Sequence, residues 1–350
     1  MKKIHYCFFA LFLFFGCQNP KSNSSKFTFG VWGNYQDRSN KEWFEYFDKY
    51  TDAGITDYFI QGSRENIQKL ANIVKGRNIN LHAWVWVMNR PGDMVAAEHP
   101  EWYSVNRNGQ NSNDYRPYVN YYRWVSPFSE GARTHIKKVM ESYAEIEGIA
   151  SVHLDYVRYC DVILPKMLQP KYGLNQTTEM PEYDFGYHPN AIKGFKEKYG
   201  VDPFSLDHPE ESMEWRQFRL DKLTSLVNEI AEIVHSKGKK LSAAVFPYPE
   251  ISRKMVRQDW SAWDLDIACP MNYHNFYGEE LDWIKTSVSN GVGETERKLD
   301  YRSGLFIGSL SPDELKIAIG QSREGGANGV VLFSVNALTE EHLDMIKLIQ

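Results

Sequence analysis

The segment SVHLDYVRYC, Ser151–Cys160, carries a histidine and an aspartate two residues apart within an otherwise apolar run. Side chains alternate along a strand. In an extended chain, His153 and Asp155 therefore share one face and Val152 and Leu154 the other. A carboxylate on an inward face is costly unless it is paired or hydrogen-bonded. A carboxyl group kept in such a place suits general acid or base catalysis. Asp155 is read as the first catalytic group and His153 as a second. A structural carboxylate tied to His153 or Arg158 is the plainer alternative.

Two chemistries fit. Hydrolysis of a glycosidic bond generally takes two carboxylates, one as acid and one as base or nucleophile. Glu250, in FPYPE, and Asp161 are the candidates for the second. Asp264 and Asp266 precede a strand and belong at the far end, while Glu279 and Glu280 read as solvated. Elimination beside a carboxylate needs one base and one acid, with a cation holding the uronate. MNYH supplies Asn272, Tyr273 and His274, with Tyr273 as a further catalytic candidate. Arg90, Arg158 and Arg216 supply the cations. Trp86, Trp124, Tyr156, Asn272 and His274 join the arginines as substrate-binding candidates. A non-catalytic glycan-binding protein would keep the aromatics and have no need of Asp155.

These residues need a scaffold that gathers strand ends. Apolar runs and helical patterns alternate along the chain. Strands are expected at FTFGVWGN, ITDYFIQG, INLHAWVWVMN, the Asp155 segment, LSAAVFPYP, LDIACPMNYH, YRSGLFIGSL and NGVVLFSVN. The helical spacing of Trp215, Phe218, Leu223, Leu226, Ile230 and Ile233 predicts a long helix before Gly238. Eight strand–helix units predict an α/β fold, a (β/α)8 barrel over 27–350, rather than an open doubly wound sheet. No glycine-rich phosphate turn follows the first strand. Long loops after strands 3 and 4, near Asn89–Phe128 and Asp161–Met213, are expected to wall one cleft at the strands' C-terminal ends.

Composition narrows the partners. The net charge of −5 is a poor match for nucleic acid. Aromatics make up 14%, with 21 tyrosines and 10 tryptophans, which suits packing against sugar rings as well as a large core. The expected partner is an oligosaccharide, anionic if the three arginines are free. No metal-ligand spacing is found, and no cofactor is expected. Residues 1–17 have a basic start, a short apolar run and Gly16 before Cys17, which predicts a lipoprotein signal with Cys17 lipidated. Residues 18–26 would be a tether. A bacterial envelope protein, membrane-bound through that lipid, is expected. Cys160 and Cys269 would be buried thiols or one disulfide.

GIASVHLDYVRY, preceded by RWVSPFSEGARTHIKKVMESYAEI, resembles the hallmark of the family-ten-like glycosyl hydrolase-like proteins. The matching residues are Trp124, Pro127, His153, Leu154, Asp155, Tyr156, Arg158 and Tyr159. EWRQFR and QDWSAWDLDIACPMNYH resemble further family segments, and the likeness runs from Phe27 to Asn336. Ala150-Ser151 stands where the family has Asp-Gly, and Cys160 where proline is common. The resemblance implies a barrel, often lipid-anchored, acting on sugars. Because fold does not fix function, the site itself must carry the activity.

Overall fold

The computed structural model describes residues 26–296 and 298–350. The signal segment with Cys17, and all of the tether except Lys26, lie outside the described residues.

Eight parallel strands close into a barrel in sequence order. They are β1 Thr28–Asn34, β2 Asp57–Gln61, β3 Asn80–Trp86, β4 Ile149–Asp155, β5 Lys240–Val245, β6 Ile267–Pro270, β7 Asp300–Phe306 and β8 Gly329–Phe333. The helices are α1 Asn40–Thr51, α2 Arg64–Val74, α3 Met94–Ala97, α4 Glu130–Ala144, α5 Pro189–Tyr199, α6 Met213–Ser236, α7 Pro249–Val256, α8 His274–Tyr277, α9 Trp283–Glu294, α10 Pro312–Gly325 and α11 Glu340–Leu348. The expected (β/α)8 barrel is therefore the observed fold.

Alternation sorts the strand side chains into two layers. Val152 and Leu154 of β4 join the apolar shell beneath the helices. The barrel interior is packed by Trp32, Phe59, Trp84, Ala244, Ile267, Cys269 and Val331. The helices start where their sequences say they should. Ser39 with Glu42, and Ser311 with Glu314, form capping boxes. The long α6 buries Leu223, Leu226, Val227, Ile230 and Val234 on one side and stops just before Gly238, at φ +69°.

The two long connections are built segments. The first holds α3 and bridges back on itself, Asn89 to Trp124 and Tyr103 to Val125. The second contains α5, started by Pro189 and ended by Gly200 in the left-handed region. Cys160 and Cys269 are buried free thiols, so the disulfide alternative is not realised. Among the described residues, no helix is long and apolar enough to cross a membrane.

Candidate active site

Asp155 ends β4 and pairs in register with Trp86, the last residue of β3. It is half-buried at the barrel mouth. Each carboxylate oxygen has a donor. Trp84 Nε1–H donates to Oδ2 at 3.0 Å, and the Tyr156 backbone N–H donates to Oδ1 at 2.6 Å. Tyr156 has φ 48°, a left-handed conformation that costs a bulky L-residue about 1–2 kcal/mol. Burial pushes the Asp155 carboxyl above the usual range. It does so against both donors and the Arg158 charge, which favour the ionised form.

His153 lies two residues deeper, fully enclosed. Its Nε2 accepts from Trp32 Nε1–H at 3.0 Å, so the proton sits on Nδ1 and faces Ser242 Oγ at 2.9 Å. From Ser242 a chain of hydrogen bonds continues through Ser151 and His82 to Asp57, which also pairs with Arg302. Burial, then the charges of His82 and Arg302, push the His153 imidazole well below its usual value. His153 is therefore a neutral link in the barrel interior.

An aromatic cluster gathers around Tyr156, the residue after Asp155. The Tyr156 ring packs 4.6 Å from Trp86 and 5.6 Å from Trp124, centroid to centroid. Arg158 packs against it, 4.8 Å from the Trp124 ring and 5.2 Å from those of Tyr156 and Phe246. Its guanidinium pairs with Asp161 at 3.2 Å. Asp161 also accepts from the Tyr122 hydroxyl at 2.8 Å and is itself buried. Tyr273 enters from beyond β6, stacked on Phe333. Burial, then the Asp155 charge, push its phenol well above the usual range. Asp155 and Tyr273 thus sit within electrostatic reach of each other.

Other candidates are placed apart. Asn272 turns toward the helix layer, donating to Ser303 Oγ at 2.9 Å and accepting from Ser287 Oγ at 2.6 Å. His274 opens α8, where burial lowers its pKa. Glu250 is exposed in the first turn of α7. Arg90 pairs with Asp93 at 2.5 Å. Arg216 donates to the Glu210 carbonyl at 2.8 Å and faces Glu179 at 3.8 Å. None of the three arginines is left without an acidic or carbonyl partner. Among the described residues, no group of three or more His, Cys, Asp or Glu side chains is placed to hold a metal.

Trp84 was not singled out from sequence, although it holds Asp155. Its signal was available: it stands two residues before Trp86, and the period of two puts both on the inner face. Trp32 and Phe333 gave no such signal, because their partners are distant in sequence.

A family described as "Putative glycosyl hydrolase domain" matches residues 42–297. No curated protein sequence matches the chain. Among solved structures, the PgaB (BpsB) glycoside hydrolase domain from Bordetella bronchiseptica superposes with a TM-score of 0.68 at 13% identity, covering 92% of this chain and 98% of that one. The catalytic domain of a β-amylase from Paenibacillus polymyxa gives 0.62 at 11% identity, covering 93% and 97%. A β-galactosidase from Bacillus circulans sp. alkalophilus gives 0.62 at 15% identity, covering 89% of this chain and 50% of that one. At these identities the likeness is one of fold.

Proposed function

The chain belongs to the family described as "Putative glycosyl hydrolase domain", and from that premise we propose that it hydrolyses glycosidic bonds in oligosaccharides with Asp155 as general acid. The observation that carries this is the environment of Asp155: a half-buried carboxyl at the end of β4, raised by burial and facing an aromatic mouth. That is the end of the barrel where such folds place their chemistry.

A protonated Asp155 gives its proton to the glycosidic oxygen as that oxygen's bond to the anomeric carbon breaks. Water adds to the same carbon, and the proton it loses passes through solvent to restore the protonated Asp155. The products together gain one water. Glu250 faces solvent and Asp161 is closed in its ion pair, so Asp155 alone carries the proposed proton transfer. Holding a uronate for elimination would take a free cation, and Arg90 and Arg158 are each matched by a carboxylate. That favours hydrolysis over dehydration. Incubation with a panel of neutral and uronate-containing oligosaccharides, read by mass spectrometry, tests this. Products that gain one water are expected. Products that lose one water, or no product from any sugar, would discard hydrolysis.

Trp84→Phe removes one donor to the ionised carboxylate. Losing a contact to the charged form raises the Asp155 pKa further. A general acid works while protonated, so the alkaline limb of kcat/KM should move to higher pH. A pH–rate profile of the variant beside the wild type checks the direction, and a shift to lower pH would contradict it.

Gly16-Cys17 leads us to propose a lipid anchor on a bacterial envelope. Cys17→Ala should move the protein from the membrane fraction to the soluble one. A wild type already soluble would show that no lipid anchor is present.

A further inference from the structure

A cleft of about 520 Å³ opens at the C-terminal ends of β2 and β3, lined by Gln61, Trp84, Trp86, Asn89, Arg90 and Asp93 and, from α4, by Val139 and Tyr143. Its size falls within the roughly 300–1,000 Å³ of small-molecule sites. Trp84 bonds the Asp155 carboxylate and Trp86 is its register partner. The strand that carries Trp84 and Trp86 therefore runs about one strand spacing, ~4.8 Å, from the one that carries the proposed acid.

Two features of the lining point to a ligand. Asn89 is fully buried, and its Oδ1 accepts the Arg123 N–H at 2.9 Å. Its Nδ2, and Trp86 Nε1, are buried donors that meet no acceptor within the protein. Buried donors are rarely left without one. The charged groups of the lining cancel internally: Arg90 pairs with Asp93, which His135 also approaches at 2.8 Å. The cleft thus offers two indoles, amide groups and no unbalanced charge.

We propose that this cleft is a binding subsite for an uncharged pyranose unit of the substrate, with its C–H face on Trp86 and its hydroxyls bonded by Gln61 and Asn89. The assignment rests on the hydrolase reading above and narrows its substrate to neutral glycans. It places the bound unit on the β2–β3 side of the scissile bond. Arg90 then acts as the wall of a neutral site, held by Asp93.

The test is calorimetric titration of the Asp155→Asn protein, which should bind without cleaving. The probes are neutral tetrasaccharides of glucose, mannose, galactose and N-acetylglucosamine, with tetragalacturonate as the acidic counterpart. At least one neutral probe should bind saturably. Adding Trp86→Ala should weaken it by about tenfold, in keeping with loss of one stacked aromatic contact. Trp86→Phe should keep most of the affinity, which separates a lost stacking face from a damaged fold, and Gln61→Ala should weaken binding without unfolding. Affinity unchanged by Trp86→Ala, or tighter binding of tetragalacturonate than of every neutral probe, would overturn the subsite. Wild-type cleavage with unaltered KM in Trp86→Ala would discard the subsite and leave Asp155 standing. Trp86-dependent binding with no bond cleaved by the wild type would do the reverse.

Discussion

Replacing Asp155 with asparagine should lower turnover by about 10²–10⁴-fold, the usual weight of a positioned general acid, while sugar binding survives. Asparagine matches the carboxyl in shape but has one acceptor oxygen. It can keep the Tyr156 N–H or the Trp84 Nε1–H, not both. It also lacks the proton that the leaving sugar needs. The same exchange has a signature in stability. The folded-state pKa of Asp155 is raised. Its contribution is therefore most favourable below the unfolded-state value of about 3.9 and is lost as pH rises through the folded-state value. The asparagine variant has no such loss. The wild type should weaken relative to the variant as pH climbs through that window, by thermal unfolding across a pH series. A variant that still turns over at the wild-type rate would leave Asp155 a structural carboxylate.

Removing Asp184 should cost about 3–5 kcal/mol, as expected when one partner of a buried ion pair is lost. Asp184 lies on the second long connection, where both its oxygens accept from Arg219 Nη1 of α6, at 2.7 and 2.8 Å. Arg219 and Arg257 are both fully buried. Arg257, at the C-terminus of α7, pairs with Glu179 of the same connection. Asp184→Ala would leave Arg219 charged and without its carboxylate in the interior. The double change Asp184→Leu with Arg219→Met should recover much of the loss, because an apolar pair carries no desolvation cost. Burial opposes ionisation of Asp184, and Arg219 and Arg257 override it, so its pKa is lowered. Its stabilisation is present above the unfolded-state value and disappears as pH falls through the folded-state one. Denaturant unfolding of the three proteins at neutral and acidic pH checks both effects. An Asp184→Ala protein as stable as the wild type would show that the connection is held by its aromatic packing instead.

The barrel was legible because its signal is local. Apolar runs bounded by turns recur eight times, and alternation alone puts Asp155 on the inner face and Leu154 on the outer. The arginines were harder to read. Arg90 and Arg158 look like open cations at strand ends, yet each meets an aspartate three residues on, Asp93 and Asp161. That spacing was in the sequence and marked a local pair rather than a ligand clamp. Arg216 draws its partners, Glu179 and Glu210, from the second long connection, whose path no periodicity describes. Alternation also fails beyond a strand's end. β6 stops at Pro270, and the chain then turns so that Tyr273 enters the mouth while Asn272 bonds Ser287 of α9. His153 was legible as inward-facing. Its neutrality was not, since it follows from burial in the closed barrel and from His82 and Arg302, which are far away along the chain.

Addition of water across a glycosidic bond, driven by Asp155, is the proposed reaction. Its most direct test is the reaction of the wild type with its best oligosaccharide in heavy-oxygen water, beside the Asp155→Asn protein. One solvent oxygen is expected at the newly formed reducing end for each bond cut by the wild type, and almost none from the variant. An unsaturated product carrying no solvent oxygen, or equal labelling by both proteins, would contradict it.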